Sequence, residues 1–374
     1  MRIAIVHDYL IQIGGAERVV ETLCEMFPEA PIFTLLYDDK IMNGIFKSKM
    51  IKASFLQKIP FAKKYHRYFL ALMPFAIGRF DLSGYDLIVS SSSSYAKGFK
   101  KPKNSLHICY CHTPLRYAWD DTGRFIRESN YPGFVKLLIP FLIEYIKKWD
   151  LKAASGVDYF IANSNFIADK IKRYYNRDAI VIYPPVGITH NAQPATYNKE
   201  NDYYLIVSRL LPYKRIDIAI QAFNEFARLP AGKELKLKIV GDGPERKNLE
   251  KMAGRNIEFL GSRYDEELID IYGECKAFIF PQEEDFGITA VEAQMAGRPV
   301  IAFQAGGALE SVIEGKTGVF FKKQNKDSLI DAIRRFDKMK FDEEEIKSHA
   351  QKFSRDEFKK KINNFIKEKW NSKK

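Results

Sequence analysis

Short apolar runs alternate with amphipathic, helix-period stretches along most of this chain, and that alternation restricts it to an α/β fold with parallel sheets. In the first half the strand candidates are 2–7, 31–36, 86–90, 106–111, 157–162 and 180–183. The second half offers 204–208, 235–241, 257–260, 277–280, 299–303 and 319–321. Runs this short, each followed by a helical pattern, read as strand–helix–strand units and give doubly wound domains.

Tyr183-Pro184-Pro185 stops regular structure between the two series, and the polar stretch from Gly187 to Asn201 reads as a linker. The expected division is an N-terminal domain over 1–186, a linker over 187–201 and a C-terminal domain over 202–354. At 374 residues the chain suits two cores of ordinary size. A charged helix pattern follows, and 355–374 is expected to return to the first domain. Two such domains face to face leave a cleft at the carboxyl ends of their strands, where open α/β sheets bind ligands.

Charge is unevenly spread. From Lys40 to Trp119 there are 14 Lys and Arg against two acids, Asp81 and Asp86, so the whole +12 excess falls in the first half. Such a field calls for a polyanionic partner: nucleic acid, an anionic membrane or phosphorylated ligands. Cys24, Cys109, Cys111 and Cys275 lack paired metal-ligand spacing and read as reduced core residues of a cytoplasmic protein. The opening MRIAIVHDYL has too short an apolar run for a signal peptide, and no uncharged apolar stretch is long enough to span a bilayer.

Four constellations carry chemistry. Gly14-Gly15 sits where the first strand turns into a helix, so backbone amides and a helix N-terminus can approach a phosphate; such a turn serves structure as readily. His112 stands at the end of the strand 106–111, at the mouth of the sheet. In Ser208-Arg209-Leu210-Leu211-Pro212-Tyr213-Lys214, Arg209 as a planar fork and Lys214 as a point charge suit a diphosphate. After the strand 277–280 come Gln282-Glu283-Glu284-Asp285-Phe286-Gly287-Ile288-Thr289, then a helix carrying Glu292. Carboxylates there accept hydrogen bonds from hydroxyl groups, while the helix start takes phosphate. Taken singly, each motif also reads as an ordinary turn or solvated surface.

In this order and spacing the motifs resemble glycosyltransferase family 4 over nearly the whole chain: a Gly-Gly turn, a strand-end His, Arg-x4-Lys and Glu-x7-Glu. The resemblance implies the GT-B fold, two Rossmann-like domains facing a central cleft, and transfer of a sugar from a nucleoside-diphosphate donor. By the same likeness Arg209 and Lys214 hold the diphosphate, and Glu284 with the Phe286-Gly287 backbone holds the sugar hydroxyls. Ile288 and Thr289, which open the helix beside them, are donor-binding by the same likeness. Glu292 binds the ribose, Gly14-Gly15 approaches the phosphate, His112 contacts the donor sugar, and Ser262-Arg263 borders the base. The stretches HTPLRYAWD, SRLLPYKRIDIAI and EEDFGITAVEAQMAGRPVIAF are similar to bacterial mannosyltransferases of O-antigen and related polysaccharides, which implies GDP-mannose as donor. Gln282 departs from the small hydroxyl residue common in the family. The mechanism implied is front-face displacement with retention and without a metal. Asp38-Asp39 and Asp120-Asp121, the adjacent Asp pairs, do not follow buried strands as a nucleotide–metal clamp requires.

A sugar-nucleotide epimerase or a phosphorylase of the same architecture is the rival enzyme reading. A basic nucleic-acid-binding protein is the non-enzymatic one, though no nucleic-acid motif is visible, and no nucleic acid is expected as a partner. The expected partners are the nucleotide sugar, a lipid-linked or glycan acceptor, and an anionic membrane contacted peripherally on its cytoplasmic face. Phe46 to Phe75 alternates cations with aromatic and aliphatic residues, as interfacial segments do. The apolar stretch Pro132–Trp149, broken by Lys136, Pro140 and Glu144, is a second candidate for membrane contact but reads more readily as a buried core helix.

Overall fold

A computed structural model describes residues 1–120, 122–123, 126, 133–187, 202–228, 235–263 and 265–373. The expected linker, apart from Gly187, lies outside the described residues, as does Asp121. The chain forms two compact units, Met1–Pro185 with Phe358–Lys374, and Val186–Glu357.

The N-terminal unit is built on β1 (Ile3–Leu10), β2 (Ile32–Tyr37), β3 (Ile51–Ala53), β4 (Leu87–Ser92), β5 (Leu106–Cys111), β6 (Tyr159–Ala162) and β7 (Ala179–Val181). They form one parallel sheet in the order β3-β2-β1-β4-β5-β6-β7. β4 and β5 are buried along their whole length, as strands covered on both faces must be. On one face Ile5, Leu87 and Val89 pack with Val19, Val20 and Leu23 of the Gly15–Met26 helix. Phe358, Ile362, Phe365 and Ile366 of the C-terminal helix Arg355–Lys373 complete that layer. On the other face Ala4, Val6, Phe33 and Ile88 pack with Leu56, Leu70 and Met73 and with Ile139, Ile143 and Ile146 of the Gly133–Ser155 helix.

That helix corrects one expectation. Its inner side is core, but Leu137, Leu138, Phe141 and Tyr145 are 74%, 62%, 76% and 50% exposed. It is apolar on two sides and covered on one. Its far end is fixed by a buried ion pair, Lys97 Nζ to Asp150 Oδ1 at 2.5 Å, with Trp119 and Tyr175 donating to Asp150 Oδ2. The edge strand β3, three residues with a central lysine, was not anticipated.

The C-terminal unit holds β8 (Tyr203–Val207), β9 (Lys236–Val240), β10 (Ile257–Gly261), β11 (Ala277–Phe280), β12 (Val300–Phe303) and β13 (Gly318–Phe321). They pair in parallel in the order β10-β9-β8-β11-β12-β13. This is a doubly wound sheet whose order reverses between β8 and β11, the point at whose carboxyl edge open α/β sheets bind ligands.

Candidate active site

Four of the strand-end loops of the C-terminal unit carry the residues singled out in the sequence or the glycines that support them. After β8 the chain runs through exposed Arg209 into a short 3-10 turn, Pro212–Lys214. After β11 it runs through Glu284 to Gly287, which precedes the Ile288–Met295 helix. Lys214 and Glu284, each 15% exposed, form an ion pair, so the structure joins these two across the reversal point. Lys214 Nζ also lies 5.0 Å from the Tyr213 ring centroid. Glu292, on the second turn of the helix, is 4% exposed and its Oε2 accepts from Tyr272 at 2.8 Å. Ser262 is exposed at the end of β10, where Arg263 pairs with Glu267 at 2.8 Å.

Gly287 has φ +94°, and a side chain there would strike the Phe280 ring, with a Cβ only 2.7 Å from its Cζ. A glycine is therefore what lets the helix begin directly beneath the loop. Ile288 and Thr289 form its first turn and are half-buried.

Sequence reasoning missed what holds this loop. Gly306 and Gly307, past the end of β12, run against its backbone: a Cβ would lie 2.3 Å from Glu284 O at the first and 2.3 Å from Phe286 Cα at the second. The Gly307 amide donates to Glu284 O at 2.8 Å. Gln324 donates to Pro281 O at 2.9 Å and accepts from Arg215. A Gly-Gly pair at a strand end was the available signal, the same one that drew attention to Gly14-Gly15.

In the N-terminal unit Gly14 precedes the Gly15–Met26 helix, and a Cβ there would lie 3.1 Å from Glu17 Oε2. Asp8, 3% exposed, accepts from the amides of Ser93, Ser94, Tyr95 and Ala96 at 2.6–2.9 Å, which fixes the loop after β4. His112 follows β5, 8% exposed, with Nε2 2.8 Å from Ser91 Oγ. Asn163 donates to its carbonyl at 3.0 Å. Burial, then the neighbouring His7, pushes the His112 imidazole down to about 3, so it is neutral near pH 7. The four cysteines are buried thiols, and burial pushes Cys24, Cys109 and Cys275 up to about 12.

Both halves of the chain match known families. Residues 13–190 match the family described as Glycosyltransferase Family 4, and residues 188–353 match Glycosyl transferases group 1. An uncharacterized glycosyltransferase of Methanocaldococcus jannaschii is 26% identical over 95% of this chain and 94% of its own length. The alpha-1,3/1,6-mannosyltransferase ALG2 of Dictyostelium discoideum is 27% identical over 65% of each chain. Among solved structures, HepE of Anabaena in complex with UDP superposes with a TM-score of 0.72 at 17% identity, covering 98% of this chain and all of that one.

Proposed function

The chain is a GT-B glycosyltransferase of the group 1 and family 4 superfamily, and on that premise we propose that it moves mannose from GDP-mannose, with retention, to a lipid-linked or oligosaccharide acceptor of cell-surface polysaccharide synthesis. The observation that carries this reading is the Lys214–Glu284 pair at the reversal point between β8 and β11. It sets a cation for the diphosphate beside a carboxylate for sugar hydroxyls. The acceptor oxygen bonds to the anomeric carbon on the face the diphosphate leaves, the bond from that carbon to the phosphate oxygen breaks, and the acceptor's proton passes to the leaving diphosphate. Arg209 and Lys214 offset the charge that builds there.

The reaction in this reading needs no metal or other cofactor. In support, among the described residues of the adjacent Asp pairs, Asp38 is engaged by Lys63, Asp39 by Tyr37, and Asp120 by Lys170 and Tyr174.

Mannose is supported by the sequence wording and by the likeness to ALG2. HepE, which binds UDP, makes the base the point to test. A thermal-shift screen of GDP, UDP and ADP sugars is expected to favour GDP-mannose, with acceptor-dependent GDP release unchanged by EDTA. A larger response to UDP sugars overturns the donor, and loss of activity on chelation restored by magnesium or manganese overturns the metal-free mechanism.

The reading also puts the N-terminal unit on the cytoplasmic face of an anionic membrane. Among the described residues no helix is long and apolar enough to cross one. Support for peripheral contact comes from Phe61, Tyr68 and Phe75, which are 75%, 58% and 55% exposed among Lys58, Lys64 and Arg67.

A further inference from the structure

A buried polar chain in the N-terminal unit ends on His112. His7, on β1 and 2% exposed, has Nδ1 3.0 Å from the Ser91 carbonyl oxygen and 3.1 Å from Ser91 Oγ. A carbonyl oxygen only accepts, so the His7 proton is on Nδ1. Its Nε2 faces Glu17 Oε1 at 3.7 Å, and Glu17 is itself 6% exposed. Ser91 Oγ therefore shares an N–H from His7 and has one proton of its own to direct. Among the described residues the acceptor it meets is His112 Nε2, at 2.8 Å. A fully buried hydroxyl proton without an acceptor is a desolvated donor with nothing to hold it, so it goes to that nitrogen. His112 Nε2 is then bare, and the ring's own proton is on Nδ1.

We propose that Glu17, His7 and Ser91 are positioning residues that hold His112 as the neutral Nδ1–H tautomer, so that it donates a hydrogen bond to a ligand oxygen at the carboxyl end of the sheet instead of accepting a proton there. The charged and titratable groups around the chain agree. Burial opposes a charge on His7, but the charge of Glu17 from the first helix, 3.7 Å away, outweighs it, with Asp8 beside it on β1 adding to the effect. The His7 pKa is raised accordingly, while His112, from the end of β5, is pushed down to about 3 by burial and by His7. Charge thus stays at the Glu17 end, and a neutral donor is left at the His112 end. A donor of this kind suits a sugar hydroxyl or an ester oxygen. It cannot take the acceptor's proton at Nδ1, which leaves that proton to the diphosphate.

The inference rests on the glycosyltransferase reading only for its effect on turnover. The test is nitrogen-15 NMR of histidine-labelled full-length chain, with the His112 signals assigned by their loss in His112→Gln. Wild type is expected to show protonated Nδ1 and bare Nε2, without titrating between about pH 5 and 8. Ser91→Ala is expected to move His112 toward the Nε2–H form, and Glu17→Gln to lower the His7 titration. Turnover of Ser91→Ala is expected to fall about tenfold in kcat with KM little changed, the worth of one hydrogen bond, and Ser91→Thr to recover it. Protonated Nε2 in wild type overturns the proposal whether or not Ser91→Ala and Glu17→Gln fold. An unchanged tautomer in Ser91→Ala, or unchanged kcat in that variant, overturns the positioning role. Retained turnover in His112→Ala removes His112 from the site and leaves the tautomer to be judged by the NMR alone.

Discussion

Lys214 and Glu284 each carry the other's counter-charge while mostly shielded from water, so truncating either leaves its partner unmatched. With the diphosphate also to hold, Lys214→Ala is expected to lower kcat about a hundredfold or more at saturating donor, and Arg209→Ala likewise. Near-wild-type rates remove the diphosphate role. Glu284→Gln is expected to impair transfer while free nucleoside diphosphate, titrated by calorimetry, binds as before. Equal weakening of free nucleotide and nucleotide sugar puts Glu284 at the wrong end of the donor. Buried histidines also shape the acid response. His107 and His112 are both pushed down to about 3 by burial, below the ordinary 6.5. Their stabilisation is therefore full above pH 6.5 and lost as pH falls toward 3, because only the unfolded chain takes up the proton. Each contributes a slope of about 1.4 kcal/mol per pH unit in that window. His7, raised by Glu17, works in the other sense and loses its contribution as pH rises through its folded value. Urea unfolding from pH 6.5 to 4 is expected to show a shallower slope in His107→Phe, which keeps a ring against Phe99, whose centroid lies 4.4 Å away. An unchanged slope assigns the sensitivity elsewhere. Arg209, Lys214 and Glu284 are legible in the sequence because each closes an apolar run. Gly306 and Gly307 form a visible strand-end pair, but what they support is not legible, because the backbone of Glu284 and Phe286 that they touch lies in another loop.

The C-terminal helix shows what an element's period reveals and what it conceals. Phe358, Ile362, Phe365 and Ile366 recur at helical spacing, which marks a buried stripe, and they fill the face shared with Ile5 and Val89. Four such side chains bury about 1.5–3 kcal/mol each, as an upper bound. A chain ending at Ser354 is expected to lose about 10 °C or more in Tm, partly regained when a 355–374 peptide is added; an unchanged Tm means that the sheet face closes without them. The Gly133–Ser155 helix is the opposite case. Its outer Leu137, Leu138 and Phe141 are as apolar as its inner Ile139 and Ile143, so periodicity could not say which side is covered. β3 escaped notice because Ile51-Lys52-Ala53 is too short to alternate visibly and sits in a basic stretch. Long strand–helix alternation was readable; edges and outer layers depend on packing that no local pattern records.

At the scale of the molecule, the alternation of runs is enough for two doubly wound sheets, whereas base and hexose depend on loop shape. Net charge is also a whole-chain property, and the +12 excess between Lys40 and Trp119 lies in the N-terminal unit. Residues 55–77 and the Gly133–Ser155 helix pack on the same face of its sheet. Their outer surfaces expose Phe61, Tyr68, Phe75, Leu137, Leu138 and Phe141, and exposed apolar side chains that form one patch mark a partner or membrane contact. Headgroup attraction and apolar insertion have different signatures, since salt screens the first and leaves the second. Lys49 and Lys63 are spent inside the unit, on Cys24 O and Pro28 O and on Asp38, so Lys47, Lys58 and Lys64 are the cations to remove. At about 1 kcal/mol each near an anionic surface, their joint change to serine is expected to weaken binding to anionic liposomes about a hundredfold in low salt and much less in high salt. Leu137→Ser with Phe141→Ser is expected to weaken binding at both salts, since transferred apolar area is not screened. Co-sedimentation with vesicles of graded anionic content reads both variants. Equal binding of wild type to neutral and anionic vesicles, or no change in either variant, removes the membrane and leaves the basic surface to a soluble polyanionic acceptor.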